Sequence, residues 1–375
     1  MSKNVCILSM QRVPNFGSLL QSYSLRKMLI GIGCNVSFID IKRIDDDDRL
    51  RGNVHHDFNS ECSNERGFFQ KIKKIDKYTI NRLLVKQKQK KQDILLERFC
   101  INELNIKDSD NEKHYDYCVI GSDEVFNCMT ESRWGFTSQL FGNVSQADKV
   151  ITYAASCGAT EVNQLPVKVK EKIQVSFQNI SRFSVRDENT YKFVALITNQ
   201  EPLLHLDPVV VGNLDEEIAK ATLPEKLSDK YCVIYSYYNR IKSNEEIKAI
   251  KHFCKTHDLK IISVGAPQFW IKEHVIGTPF QILKTFANAE FVITDTFHGT
   301  IFSAKYTKRF AVLLRGSNKN KLGDLIDRLG LQKHLLQNIN KLEQVYSVEK
   351  DMCRINKIVA NEEARTLTYL RNSIY

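Results

Sequence analysis

The sequence predicts an α/β protein made of two open, largely parallel sheets that face one cleft. Three observations carry this expectation. Strand-sized apolar runs alternate with helical patterns along most of the chain, the order that produces parallel sheets layered with helices. A polar stretch near Asn213 to Asp229, with Pro224 and no strand pattern, interrupts the alternation and reads as an inter-domain connection. Residues suited to chemistry gather where predicted strands end, the place at which open α/β sheets bind ligands.

In the first half, Asn4 to Met10 is an apolar strand followed by the loop Gln11 to Gly17. Ser18 stands three residues before Gln21, a capping-box spacing that predicts a helix start. Leu25, Met28, Leu29 and Ile32 give that helix a buried stripe, and Gly31 and Gly33 end it. Val36 to Asp40 is the second strand. From Asp45 to about Asp110 the alternation gives way to charged loops and basic helical sequence, read as an insertion. Its acidic run, Asp45 to Asp48, has no metal-ligand spacing and reads as a solvated loop. Tyr115 to Ile120, Val150 to Ala155, Phe183 to Val185 and Leu203 to Leu206 restore the strands, and Asp207-Pro208 closes the half.

The second half opens with the strand Tyr231 to Tyr237, and Ser243 with Glu246 caps a helix running to about Thr256. Lys260 to Val264 is the next strand. Thr278, Pro279 and Gln281 combine a capping box with proline at the first helical position. Phe291 to Thr294 and Phe310 to Leu314 add strands, and Asp351 to Tyr369 is helical. The expected domains are 1–212, carrying the insertion at about 45–110, then 213–350. The helical segment 351–375 is a candidate to pack back on the first domain.

Composition narrows the class. The 375 residues are 42% hydrophobic, enough for two sizeable cores. No apolar run approaches the ~20 residues of a membrane-spanning helix, and Met1 to Met10 lacks the basic-then-apolar order of a signal peptide. The ten cysteines show no Cys-x-x-Cys pair and no clustering with histidine, so reduced cytosolic thiols are expected rather than disulfides or zinc. The net charge of +10 favours anionic partners. Much of it is local: Lys71 to Lys91 holds nine basic residues against the single acid Asp76. With apolar residues interleaved at helical spacing, this stretch reads either as a solvated helix face or as a peripheral membrane contact. No nucleic-acid motif accompanies it.

Five segments place chemistry at strand ends. Val13-Pro14-Asn15-Phe16-Gly17-Ser18 is a glycine-bearing strand-to-helix loop without dinucleotide-binding spacing. Gly121-Ser122-Asp123-Glu124-Val125-Phe126-Asn127 follows a strand directly. Phe183-Ser184-Val185-Arg186-Asp187 brings up an arginine, read either as a two-pronged anion grip or as the partner of Asp187 or Glu188. Leu206-Asp207-Pro208-Val209 is the fourth. The fifth, Thr294-Asp295-Thr296-Phe297-His298-Gly299-Thr300, ends a strand and opens a helix at a His-Gly pair. A helix start favours anions, and histidine suits proton transfer near neutrality. The same residues also read as an ordinary capped turn.

Together these segments resemble the polysaccharide pyruvyltransferase family. The matching pieces are Asn15-Phe16-Gly17 with Leu20-Gln21-Ser22-Tyr23-Ser24-Leu25, Gly121 to Asn127, Ser184-Val185-Arg186-Asp187, Asp207-Pro208 and Thr294 to Thr300, in the family's order, with Leu-Gly-Leu ending Leu325 to Leu331. Glu124 and Phe126 depart from the family's usual glutamine and tryptophan, and Lys321 replaces a frequent arginine. The resemblance implies two Rossmann-like domains in the manner of GT-B glycosyltransferases, with catalysis in the cleft between them. It implies phosphoenolpyruvate as donor, no metal or other cofactor, and a sugar of a surface polysaccharide precursor as acceptor, free or lipid-linked. The expected setting is cytoplasmic, with a place at the inner membrane face through segment 71–91 left open.

On that reading His298 is the general acid and Arg186 holds the donor's carboxylate or phosphate. Asp295 either orients His298, accepts an acceptor proton or simply caps the turn. Asn15, Gly17, Ser18, Ser122, Asp123, Gly299, Thr300 and Lys321 complete the substrate site, the N–H groups at Gly299 and near Gly17 and Ser18 binding anion. The rivals are a sugar-nucleotide glycosyltransferase of the same shape and a non-catalytic glycan-binding protein.

Overall fold

The computed structural model describes residues 2–43, 45, 77–128, 135–224, 227, 230–238, 240–315 and 319–375. In chain order the strands are β1 (Asn4–Leu8), β2 (Asn35–Phe38), β3 (Tyr115–Ile120), β4 (Ala147–Thr152), β5 (Ile180–Arg182), β6 (Ser184–Val185), β7 (Leu203–Leu204), β8 (Tyr231–Ser236), β9 (Lys260–Gly265), β10 (Glu273–Val275), β11 (Phe291–Thr294), β12 (Phe310–Leu313) and β13 (Leu335–Leu336). The helices are α1 (Phe16–Gly31), α2 (Lys77–Asn102), α3 (Val167–Phe177), α4 (Glu188–Thr198), α5 (Pro208–Val211), α6 (Asp215–Lys220), α7 (Asn244–Thr256), α8 (Pro279–Ala287), α9 (Phe297–Tyr306), α10 (Lys319–Leu329), α11 (Leu342–Tyr346) and α12 (Met352–Ile374).

Two parallel sheets organise these elements. The first runs β2-β1-β3-β4-β5 and the second β10-β9-β8-β11-β12-β13. Counted within each half, the orders are 2-1-3-4-5 and 3-2-1-4-5-6, the two common doubly wound arrangements, so both halves are Rossmann-like. Side chains alternate as strand geometry requires. Val5 and Ile7 of β1 face one core while Cys6 and Leu8 face another. In the second sheet Tyr231, Val233 and Tyr235 face the same core as Val5 and Ile7, and Cys232 and Ile234 face the opposite way. One hydrophobic core therefore fills the space between the two sheets. It includes residues of α1, α8, α9, α10 and α12.

Each sheet reverses its strand order once, between β1 and β3 in the first and between β8 and β11 in the second. The chain leaving those strands supplies the five chemistry-bearing turns, apart from the Arg186 and Asp207 segments, which follow β6 and β7. Ala155 extends β4 and bridges both Asp123 and Val185, carrying the first sheet across to β6 and β7. Arg186 and Asp207 thereby reach the same edge as Asp123.

Two helices tie the halves together. On α2, Gln92 clasps Gly277 in both directions, at 2.9 and 3.0 Å, and Phe99 packs against Tyr23 and Phe280. At the chain's end, α12 returns to the first half. Its Tyr369 hydroxyl donates to the Thr152 carbonyl at 2.7 Å, and Thr366 meets the Tyr153 hydroxyl at 3.1 Å. Of the expected insertion, residues 46–76 lie outside the described residues, Lys71 to Asp76 of the basic stretch among them, and α2 makes up most of the rest. Within the described part, the Lys88 ammonium donates to the His274 carbonyl, so that charge serves packing between the halves. Among the described residues no helix is long and apolar enough to cross a membrane.

Candidate active site

Two helix starts, one from each half, meet at the centre of the molecule. Thr296 caps α9, its Oγ1 accepting the Gly299 N–H at 2.9 Å, and the Thr300 hydroxyl donates to the Thr296 carbonyl at 2.9 Å. A Cβ on Gly299 would stand 2.2 Å from Thr294 Oγ1. Glycine there lets α9 sit tightly on the end of β11 and project His298 towards α1. Asn15 caps α1, its Oδ1 accepting the Gly17 N–H at 2.8 Å. The Gly17 Cα lies directly on the imidazole of His298: a Cβ would come within 2.1 Å of Nδ1.

This corrects two sequence-based expectations. The capping box at Ser18 and Gln21 does not form, because Asn15 takes the cap and α1 begins at Phe16. Ser18 instead donates to Asp123 Oδ2 at 2.6 Å, and Gln21 donates to Ser9 Oγ at 2.8 Å. The N–H groups of Gly17 and Gly299 are already bonded to their own caps, so they do not form the anion site. Gly17 and Gly299 serve close approach.

Asp207 holds the centre of the cluster. It caps the short α5 with Oδ1, which accepts the Val209 N–H at 3.0 Å. Its other oxygen, Oδ2, receives Arg186 Nη1 at 2.9 Å and the Ser122 hydroxyl at 3.3 Å, and lies 3.6 Å from His298 Nε2. That last distance is longer than a hydrogen bond. Burial by itself would raise the Asp207 pKa, but His298 and then Arg186 outweigh it and hold the group at about 2. Asp207 is therefore ionised at neutral pH.

Arg186 is only 3% exposed. Besides Asp207 it faces Asp123 Oδ1 at 3.9 Å, and its guanidinium stacks on the Phe297 ring at 4.3 Å, a cation–π contact strengthened by exclusion of water. Its carbonyl accepts from Arg328 on α10 at 2.9 Å. Arg186 is thus paired with Asp207, and not with Asp187 or Glu188 as the sequence reading had it. Asp187 instead caps α4, accepting from the Thr190 N–H. Ser122 is fully buried and donates to the Ala154 carbonyl and Asp207, so it supports the cluster. Asp123 adopts φ 73°, a left-handed conformation that costs a non-glycine residue energy and is found at functional sites.

Two of the three residues that depart from the family pattern, Glu124 and Lys321, also meet here. Glu124, from the first half, forms an ion pair with Lys321 of the second, and the Asn127 amide donates to it at 3.0 Å. Burial favours neutral Glu124, yet Lys321 holds it at about 2. Lys321 is held above its ordinary value, since Glu124 outweighs the effect of burial. Asp295 lies on the other side of the turn, fully buried, with Oδ2 3.9 Å from Arg240 Nε and 3.5 Å from Arg315 Nε. Burial raises its pKa, against Ser236 and the two arginines. Asp207 is the carboxylate recorded beside His298; Asp295 is held by cations of its own domain.

His298, Arg186, Gly17, Ser18 and Asp123 are thus brought together, with Lys321 nearby through its ion pair with Glu124. Phe297 and Arg328 carry no sequence signal of their own, and Asp207 reads from sequence as a strand-end turn. Among the described residues, no group of three or more His, Cys, Asp or Glu side chains is arranged to hold a metal ion.

A family model described as polysaccharide pyruvyl transferase matches residues 15–317. No curated protein matches the chain. Solved structures similar in outline include the UDP-GlcNAc 2-epimerase from Methanocaldococcus jannaschii, 12% identical, covering 98% of this chain and 100% of that one, with a TM-score of 0.47. The UDP-N-acetylglucosamine 2-epimerase from Rickettsia bellii is 10% identical, over 100% and 98% of the two chains, with a TM-score of 0.46. The glycosyltransferase SnogD from Streptomyces nogalater is 11% identical over the whole of both chains, with a TM-score of 0.44. The family match spans four of the strand-end segments and the first from Asn15 onward, including the turns that meet around Asp207, and the chain belongs to the polysaccharide pyruvyl transferase family.

Proposed function

We propose that the protein transfers the pyruvyl group of phosphoenolpyruvate to a sugar of a cell-surface polysaccharide precursor, forming a pyruvate ketal and releasing phosphate. The observation that carries this reading is His298 Nε2. It is buried, has no hydrogen-bond partner among the described residues, and faces ionised Asp207 at 3.6 Å across the meeting point of the two halves. Buried polar atoms are nearly always satisfied, so an unsatisfied imidazole nitrogen beside a carboxylate suits a proton donor that awaits its substrate. Arg186 Nε, also buried and without a hydrogen-bond partner among the described residues, lies in the same cluster.

In the proposed reaction His298 gives its proton to the methylene carbon of phosphoenolpyruvate, making the central carbon electrophilic. Asp207 balances the charge of the ring before transfer. One sugar hydroxyl bonds to the central carbon and its proton replaces the one His298 gave. The bond from that carbon to the phosphate oxygen breaks. A second hydroxyl closes the ketal, and its proton leaves with phosphate. Arg186 acts by fixing Asp207, since its Nη1 is committed there. A membrane-held acceptor would be met through the basic stretch 71–91.

The test supplies phosphoenolpyruvate, and separately sugar nucleotides, to the protein with a panel of free and lipid-linked sugars. Phosphate release with a ketal product detected by mass is expected. Nucleotide release without phosphate release would establish the sugar-nucleotide glycosyltransferase instead, and ligand binding with no turnover would establish a binding protein.

A further inference from the structure

Arg186 is enclosed, which leaves open where a phosphate group would be gripped. The loop after β8 brings up Arg240 and Lys242, and the end of β12 leads to Arg315. These three cations line an open cavity of about 530 Å³ together with Glu245, Glu246 and Gln337. The cavity lies where the second sheet reverses its order: β8 leads to α7, packed on the outer core, and β11 leads to α9, packed on the central core. Open α/β sheets take ligands at this place. Arg240 and Arg315 both approach Asp295, which lies three residues before His298.

The arginines are positioned rather than loose. Arg240 stacks on the Tyr237 ring at 4.6 Å. Arg315 Nη1 donates to Glu246 at 2.6 Å. Their side chains are 27% and 25% exposed, against 2% for Arg186, so both reach the cavity. A guanidinium carries five N–H donors in a fixed fork that matches phosphate oxygens.

We propose that this cavity binds a phosphate ester, gripped by Arg240, Lys242 and Arg315. The identity of the ligand rests on the function proposed above, under which the phosphate is that of phosphoenolpyruvate. Glu246 then acts as a competing counter-ion that an arriving phosphate displaces from Arg315.

The test titrates inorganic phosphate and phosphoenolpyruvate separately, by calorimetry, into the wild-type protein, the Arg240→Gln/Arg315→Gln double variant, Arg315→Lys and Glu246→Gln. Both ligands are expected to bind the wild type and to lose about 10-fold or more in affinity in the double variant. Arg315→Lys should fall between, keeping charge but not the fork. Glu246→Gln should bind both ligands more tightly than wild type, an effect that a purely structural Arg315–Glu246 pair does not produce. Thermal melting of each variant reports folding; should the double variant not fold, the two single variants decide. Unchanged affinity in the double variant, or no gain in Glu246→Gln, overturns the site. Phosphate behaving as expected while phosphoenolpyruvate fails to bind wild type keeps the site and overturns the donor assignment.

Discussion

Gly17 and His298 come from opposite ends of the chain, yet the imidazole rests on the glycine's bare Cα, with no room for a methyl group. The His298 ring is thus positioned by an absent side chain as much as by Asp207. Gly17→Ala pushes the ring away while leaving helix α1 capped by Asn15. Turnover should fall by roughly 10²-fold, as displacements near 1 Å can produce, with thermal stability close to wild type. Turnover within a few-fold of wild type would remove Gly17 from the positioning of His298. From sequence alone His298 stands out, because histidine at a helix start is rare chemistry in plain view. Its carboxylate partner does not. Asp207 and Asp295 both sit at strand ends, and only the packing of β6 and β7 against Ala155 decides which of them faces the ring.

At the scale of elements, α9 carries His298, and both of its ends are fixed. Thr296 caps the start, and at the far end the half-buried Lys305 donates to the Val209 carbonyl at 2.9 Å and to that of Gly212. Lys305 and His298 therefore hold the same segment, 207–212, from the two ends of one helix. Thr296→Ala should cost about 1 kcal/mol of stability in chemical denaturation, while Thr296→Ser, which keeps the oxygen, should cost little. Equal losses in the two variants would show that the methyl packing, and not the cap, is what matters. The helix itself was legible from the glycine and the strand before it. Other elements were less so: β5, β10 and β13 are two or three residues long, too short for an alternation pattern to declare itself. The Ser18–Gln21 spacing failed because Asn15, a better-placed cap, lies three residues earlier.

The whole molecule is two doubly wound sheets locked over one core, and its pH response follows from what that core encloses. Burial, aided by Arg365 and Arg328, holds His205 at about 4, and burial with Lys88 holds His274 at about 4. Both lie below the ordinary 6.5, so the unfolded chain takes up protons first as pH falls. Their contribution is complete above about pH 6.5 and is lost towards pH 4. Glu124 and Asp207, each held at about 2, add a second loss from about pH 4.5 downward. The melting temperature should therefore decline in two stages, and Glu124→Gln should flatten only the lower one. A melting temperature constant from pH 7 to pH 4 would contradict this. The sheet architecture was readable because strand and helix periods alternate cleanly over both halves. Strand ends could be found the same way. What could not be read was which ends meet, since Glu124 with Lys321 and Arg186 with Phe297 join residues over a hundred positions apart.

The central claim, that this meeting point is a pyruvyl-transfer site driven by His298, is tested most directly by comparing His298→Ala with wild type. The measurement is phosphate released from phosphoenolpyruvate in the presence of an accepted sugar. The account predicts turnover lower by roughly 10²–10⁴-fold in a variant that melts like wild type. Near-normal phosphate release from that variant would contradict it.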